Sequence, residues 1–499
     1  MLRPLAATAG LLALGATAAT VLATSPTAVA AGTSVPPSHN GLAMTPPMGF
    51  NTWTAYGCNI SASLIKQTAL ALHTNGMQAA GYTYVNIDDC WIDGSTPANG
   101  GVAGRTADGH LIPNPTTFPP STPGKNDGIK VVADYVHSLG LKLGLYQAAA
   151  VKTCAGFAGS YGHENTDAKD FAAWGVDYLK YDNCAAPPGT AGNQQQFITR
   201  FKRMSDALLA SGRPIVFGLC EWGKSDPWQW GPYQANLGRS SQDIQPNYRR
   251  VLKNFTDNAM NPPSPAAPLY FNDPDSLQIG TGYGTTLNAD ASAGSTNIKV
   301  SNTRKAVRGS LVRIGTGSNS ETAVVTTVGT PRADGTGLTL ATPLTKNHPK
   351  QRSVQIDELN RTEAQTQMSL WAIQAAPLIS GADIINMAPE NLAIYTNRDV
   401  IAVDQDPLGR QGRVVSSGSH WVLVKPLASG SYAVVLFNAS DTEWSGAAAT
   451  LQSLGLDPAR SYASHDLWTK ARGVVTGAVS AGTLPAHSSV MLTLQELPN

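Results

Sequence analysis

The stretch Val176-Asp177-Tyr178-Leu179-Lys180-Tyr181-Asp182-Asn183-Cys184 decides the fold. Its first half alternates with a period of two, the pattern of a short β-strand. It then runs abruptly into Lys180, Tyr181, Asp182 and Asn183. A buried strand that finishes in a charge cluster opens into a polar site, and in a β/α barrel the active site lies at the C-terminal ends of the strands. Asp182 is therefore read as a catalytic carboxylate delivered by a strand end, with Lys180 beside it. The competing reading is a solvated Lys–Asp pair at a loop start, which is what most isolated charge pairs are. The flanking segments weigh between the two.

Outward from this stretch, strands and helices alternate. Pro46 to Trp53 is a short strand ending in polar and aromatic groups, and Ser63 to Gly76 carries Leu64, Ile65, Ala69 and Leu72 at helical spacing. Tyr82 to Ile87 is a strand ending in Asp88-Asp89-Cys90-Trp91. The helix Gly128 to Leu139 precedes the strand Lys142 to Tyr146, and the helix Thr166 to Trp174 precedes the central stretch. The helix Gln194 to Ala210 precedes the strand Pro214 to Leu219, which ends in Cys220-Glu221-Trp222. Asn236 to Ser241 and Pro268 to Phe271 are further strands, the second ending in Asn272-Asp273-Pro274-Asp275. Alternation of this kind argues a parallel sheet. A doubly wound sheet gathers its ligand at one switch point, whereas carboxylates at many strand ends point to a closed (β/α)8 barrel.

The pattern breaks twice. Between about Thr286 and Ile356 the runs Asn297 to Val300, Ser310 to Ile314 and Thr322 to Val328 alternate without a helix, as in a small β-domain. Helical spacing returns through Met368, Leu370, Trp371 and Ile373, and Pro377 to Gly381 reads as the eighth strand. The β-segment is thus expected as an insertion after strand seven, on the active-site face. Beyond Gly409, strands such as Tyr432 to Phe437 follow one another without helices, as in an antiparallel β-sandwich. The expected domains are a signal peptide at 1–31, a barrel at 41–285 and 357–408, an inserted β-domain at 286–356 and a β-sandwich at 409–499.

A chain of 499 residues, 42% hydrophobic and 14% charged, has the composition of a globular multidomain protein. Its net charge of +1 offers no electrostatic case for nucleic acid or an anionic membrane, and a neutral ligand fits better. Arg3, the apolar run from Leu5 to Leu22 and Ala28-Val29-Ala30 make a secretion signal, so an extracellular location without a membrane anchor is expected. The five cysteines lack Cys-x-x-Cys spacing and no histidines cluster, so no metal or cofactor is expected. The residues carry no signal of an oligomeric state.

Six blocks in order resemble glycoside hydrolase family 27, the α-galactosidases and α-N-acetylgalactosaminidases. They are Pro46 to Trp53, Ile87 to Trp91, His137 to Tyr146, Tyr178 to Cys184, Cys220 to Gly223, and Asn272 to Asp275. The resemblance runs from about Leu42 to Gly409 apart from the β-insertion. It implies a barrel with a C-terminal sandwich and a retaining mechanism that uses two carboxyl groups. By resemblance Asp182 is the nucleophile, kept ionised by Lys180, and Asp243 is the acid/base. Read from its neighbours alone, Asp243 is a helix N-cap before Gln245-Pro246 rather than a catalytic group. The resemblance also implies that Arg239 donates to the sugar's 2-hydroxyl, that Asp88 and Asp89 accept from its 4- and 6-hydroxyls, and that Trp53 stacks on the ring. Tyr146 and Asp275 match further pocket positions.

The alternatives for these groups are solvated loop acids for Asp88 and Asp89, and barrel core for Trp53. Adjacent acids on an extended strand point in opposite directions, so Asp88 and Asp89 are not themselves the catalytic pair. The bulk of Cys220 and Trp222, with Glu221 between them, is expected to exclude an acetamido group at the 2-position. Resemblance further pairs Cys58 with Cys90 and Cys154 with Cys184, leaving Cys220 free. Phe50, Phe271, Gln147 and Ser276 depart from the family pattern. The reading is a secreted, exo-acting retaining α-galactosidase whose partner is a galactose-containing saccharide. The alternatives are a relative acting on an α-N-acetylgalactosaminide or a β-L-arabinopyranoside, and a carbohydrate-binding protein that has lost catalysis.

Overall fold

The computed structural model describes residues 40–95, 103–262 and 268–498. The expected signal at 1–31 lies outside the described residues. Seven strands come first: β1 (Met48–Asn51), β2 (Tyr84–Asn86), β3 (Lys142–Ala148), β4 (Tyr178–Asp182), β5 (Val216–Cys220), β6 (Leu237–Arg239) and β7 (Phe271–Asp273). Six more follow in an insertion: β8 (Gly282–Thr286), β9 (Asn297–Ile298), β10 (Ser310–Ile314), β11 (Glu321–Val328), β12 (Leu338–Leu340) and β13 (Ser353–Asn360). β14 (Leu378–Ser380) is the eighth barrel strand. Parallel pairing runs in the order β14-β1-β2-β3-β4-β5-β6-β7. The ring closes just past β7, where the Leu277 N–H donates to the Ile379 carbonyl at 2.7 Å and the Gly381 N–H donates to the Leu277 carbonyl at 2.9 Å.

The period-two alternation of β4 sorts its side chains. Leu179 and Tyr181 pack in the main core with the helix residues Phe171, Phe201 and Met204. Tyr178, Lys180 and Asp182 face the barrel interior, where Tyr178 joins Tyr84, Val216 and Leu237 in a separate plug. Register stacks the interior in layers: Tyr178 beside Val216, Lys180 beside Gly218, Asp182 beside Cys220. The base is therefore aromatic and aliphatic and the top is charged. Gly144 admits one of these side chains: a Cβ there would lie 1.8 Å from Asn86 Oδ1.

Several limits differ from the sequence reading. The seventh strand begins at Phe271 rather than at 268, because Leu269 takes a left-handed backbone (φ 99°) that interrupts extension. This moves the strand end onto Asp273. The inserted sheet, ordered β8-β13-β10-β11-β12-β9, begins at Gly282 and ends at Asn360, outside the expected 286 and 356 on both sides. β8 and β13 pair antiparallel from Thr286↔Ser353 to Gly282↔Asp357, so entry and exit lie side by side. Leu287, Val300, Val312, Val325 and Ile356 form a core belonging to the insertion itself.

The C-terminal strands are β15 (Arg413–Ser416), β16 (His420–Pro426), β17 (Tyr432–Asn438), β18 (Trp444–Thr450), β19 (Ser461–Asp466), β20 (Arg472–Thr476), β21 (Ala478–Leu484) and β22 (Ser489–Glu496). They form antiparallel sheets β15-β16-β17-β22-β19-β20 and β18-β21 around Val422, Val434, Leu436 and Leu484. The helix Arg361–Ile373 opens on a capping box between Asn360 and Glu363 and is buried on nearly all sides, because it packs against barrel elements and against β16, β17 and β22. Among the described residues, no helix is long and apolar enough to cross a membrane.

Candidate active site

The charged strand ends open into a cavity of about 180 Å³ lined by Asp88, Lys180, Asp182, Arg239, Asp243 and Asp275 among others. Asp182 is 5% exposed and accepts from the Asn183 N–H at 2.8 Å. Burial pushes its carboxyl up to about 6, although Lys180 and the Asn183 N–H pull the other way. Part of that burial is the Cys154–Cys184 disulfide, whose sulfurs lie within 4.8 Å of an Asp182 carboxylate oxygen. The sulfurs are bonded to each other and offer no thiolate. Cys58 and Cys90 form the second disulfide, and Cys220 is free and buried. Burial also holds the Cys220 thiol well above its usual range, so it is not a ready nucleophile.

Lys180 does not touch Asp182 through a hydrogen bond; its Nζ donates to Asp88 Oδ2 at 2.9 Å and lies 5.2 Å from the Tyr146 ring centroid. Burial works against its charge, and Asp88, Cys220 and Asp182 outweigh it, leaving the ammonium more firmly protonated than usual. Asn51 Nδ2 also donates to Asp88 Oδ2, at 2.8 Å, while Asp88 Oδ1 accepts from the Asp89 N–H at 2.9 Å. Asp89 accepts from the N–H groups of Cys90 at 2.7 Å and Ala155 at 2.8 Å, yet burial still raises its carboxyl.

Both acids face the cavity, contrary to the opposed directions expected of strand neighbours. β2 has ended at Asn86, and Cys90 takes φ 78°, so the chain is turning and alternation no longer applies.

On the opposite wall Arg239 donates Nη2 to Asp275 at 2.8 Å and to Asp243 at 3.2 Å. Burial opposes the guanidinium's charge and Asp275 outweighs it, so Arg239 stays a cation. The Asp243 side chain is 70% exposed, so this carboxyl stands at the mouth while Asp182 lies inside. Trp53 also lines the cavity and is 43% exposed, whereas Tyr146 is buried. The Trp371 indole, on the buried helix, donates to the Asp275 carbonyl at 2.8 Å and fixes this wall from behind.

Glu221 and Trp222 are not part of the cavity wall. Cys220, the last residue of β5, faces inward, so Glu221 points outward; it is fully buried and accepts from the Ser225 N–H at 2.9 Å and Oγ at 3.0 Å. Burial pushes its carboxyl up to about 7. Trp222 takes φ 62°, and Lys224 Nζ lies 4.5 Å from its ring centroid.

Conversely, Asp273, Asn51, Asn86 and Tyr178 line the cavity without having been singled out. Asp273 sat unassigned inside the Asn272 to Asp275 block. Burial raises it to about 6 against Arg239. Of the departures from the family pattern, Ser276 reaches the cavity, while Phe50 and Phe271 are core and Gln147 is tied to the Ala158 carbonyl at 2.8 Å.

Residues 45–296 and 330–406 match the profile of α-galactosidase A, and residues 417–494 match the α-galactosidase C-terminal β-sandwich domain. A probable α-galactosidase of Dictyostelium discoideum is 36% identical, covering 91% of this chain and 94% of that protein. The α-galactosidase of Cyamopsis tetragonoloba is 33% identical, covering 92% and 88%. The crystal structure of α-galactosidase I from Mortierella vinacea superposes with a TM-score of 0.68 at 27% identity, covering 91% of this chain and 98% of that one. With both domains matched in order along the chain, this protein belongs to the α-galactosidase family, glycoside hydrolase family 27.

Proposed function

We infer that the protein is a secreted, exo-acting α-galactosidase that removes terminal α-linked galactose with retention of configuration. The observation that carries this reading is the pairing of a buried carboxyl, Asp182, with a solvent-facing one, Asp243, on one cavity closed below by Tyr178, Val216 and Leu237. A closed base suits a chain end rather than a mid-chain unit. Asp182 attacks the anomeric carbon and forms a β-configured glycosyl-enzyme while Asp243 protonates the departing glycosidic oxygen. Asp243, now a carboxylate, takes a proton from the incoming water, which displaces Asp182 and restores the α-configuration. Acids around the sugar outnumber Lys180 and Arg239, which favours the positive charge developing on the ring in the transition state.

Galactose is favoured over its competitors at both ends of the ring. With Trp222 outside the cavity, crowding at the 2-position falls to Cys220 and to Arg239, whose Nη1 lies 3.5 Å from the Cys220 sulfur. A pentose without the 6-hydroxyl leaves the buried Asp88 short of a donor, a loss of about 1–3 kcal/mol. Proton NMR of aryl α-galactoside hydrolysis tests the reading, with the α-N-acetylgalactosaminide and β-L-arabinopyranoside run beside it. α-Galactose is expected as the first anomer, with the highest kcat/KM on the galactoside. β-Galactose appearing first refutes the double displacement, and a competitor hydrolysed equally well refutes the sugar assignment.

A further inference from the structure

The inserted sheet has two different faces. Tyr283, Val312, Ile314, Val354 and Ile356 turn into the insertion's own core. Cross-strand register puts Gly284, Arg313 and Gln355 in one row on the other face. That face borders a second cavity of about 230 Å³, whose far side is barrel: Tyr56, Thr281, Asp383 and Asn386. Thr54 lines this cavity and the catalytic one alike, so the two adjoin.

Tyr56 and Asn386 both donate to Asp383, but three other polar groups bordering the cleft are under-used. Thr281 Oγ1 is buried, 6% exposed, without a hydrogen-bond partner. The only hydrogen bond of the Arg313 guanidinium among the described residues is a long one to the Gly315 carbonyl, 3.4 Å, and the Gln355 amide makes none. The strand offers no side chain at Gly284; a Cβ there would meet nothing nearer than Gln355 Oε1 at 3.9 Å. Buried polar groups are ordinarily satisfied, so the unpaired Thr281 hydroxyl, with the spare donors of the half-buried Arg313 and Gln355 across the cleft from it, marks room for a hydroxyl-rich ligand beside the catalytic cavity.

We propose that this cleft binds the leaving-group sugars of a neutral oligosaccharide whose terminal galactose occupies the catalytic cavity. The inserted domain thus contributes directly to substrate choice. The proposal rests on the galactosidase reading. It is tested by kcat/KM on p-nitrophenyl α-galactoside, raffinose and stachyose for the wild type, the double variant Arg313→Ala/Gln355→Ala, and Gly284→Leu, which fills the cleft from an extended backbone position. The expected result is a fall of about tenfold or more on stachyose for both variants, the scale of one or two lost hydrogen bonds. The aryl galactoside, which has no sugar to place there, should change less than about twofold and so reports that each variant is folded. An equal fall on all three substrates, or no fall on stachyose, overturns the cleft assignment while leaving the galactosidase reading intact. A wild type inactive on all three overturns the galactosidase reading, and the cleft assignment with it.

Discussion

Replacing Lys180 with methionine isolates the electrostatics of the nucleophile. Lys180 and Asp182 sit two residues apart on β4 and point the same way, so their charges are separated by about 7 Å at the rise of an extended strand. At an effective dielectric of about 20 that separation is worth about 2.4 kcal/mol, which is nearly 2 pH units on Asp182. The lysine side chain is 22% exposed and solvent screens part of the effect, leaving about 1–2 units. Asp88 acts in the same direction, since losing the ammonium bonded to it leaves its negative charge uncompensated near Asp182.

The acid limb of kcat/KM against pH reports the free enzyme's Asp182, which must be ionised to attack. Lys180→Met should therefore move that limb upward from about 6 by about 1–2 units, while the rate at high pH falls less than the rate at pH 5. Lys180→Arg, keeping the charge, should return the limb close to its original position. A methionine variant whose acid limb stays put while kcat/KM drops by the same factor at every pH would refute the reasoning: Lys180 would then act only through Asp88 and the sugar.

Two other outcomes follow from the same geometry. Asp182→Asn should abolish turnover of every substrate, whereas Asp243→Ala should retain formation of the glycosyl-enzyme from activated aryl galactosides and be rescued by azide as the α-galactosyl azide; a β-azide would reverse the roles of the two aspartates. Stability should fall as pH rises from about 4 to 7, because burial raises Asp182 and Asp273 to about 6 and Glu221 to about 7. A carboxyl whose pKa is raised by folding contributes stability below its unfolded value and loses it as pH climbs through the folded one. Glu221 alone accounts for about 3 kcal/mol in this window, so thermal melts of Glu221→Gln should show a visibly flatter pH dependence than the wild type; equal slopes count against a raised Glu221.

Much of the site was legible because strand geometry is legible. Period two puts Lys180 and Asp182 on one face of β4, and that face is the barrel interior. Errors arose where the chain stops being extended. Leu269 and Cys90 adopt left-handed backbones that neither side chain advertises, which displaced β7 and misdirected Asp88 and Asp89. Glu221 lies in the Cys220 to Gly223 block, whose resemblance implies a pocket position, yet one step along a strand end reverses the side chain. Asn86 could not be found from pattern: it is a lone amide among Tyr84, Val85 and Ile87, and only the absence of a Cβ at Gly144, a neighbour across the sheet, makes room for it. The cleft beside Thr54 depends on contacts across more than 200 residues of sequence, which no local window contains.

The side-by-side exit of β8 and β13 bears on how the barrel assembles. Closing the ring joins Leu277 to Ile379 and Gly381 across a loop of about 100 residues. An insertion that has already folded on its own core brings Gly282 next to Asp357, and the loop left to close shrinks to about 30 freely moving residues. Loop entropy grows with the logarithm of length, so this shortcut lowers the cost of closure by about 1 kcal/mol. To the folding barrel the added domain is kinetically a hairpin, which is why a ring that depends on its last strand can carry so long an interruption directly before it.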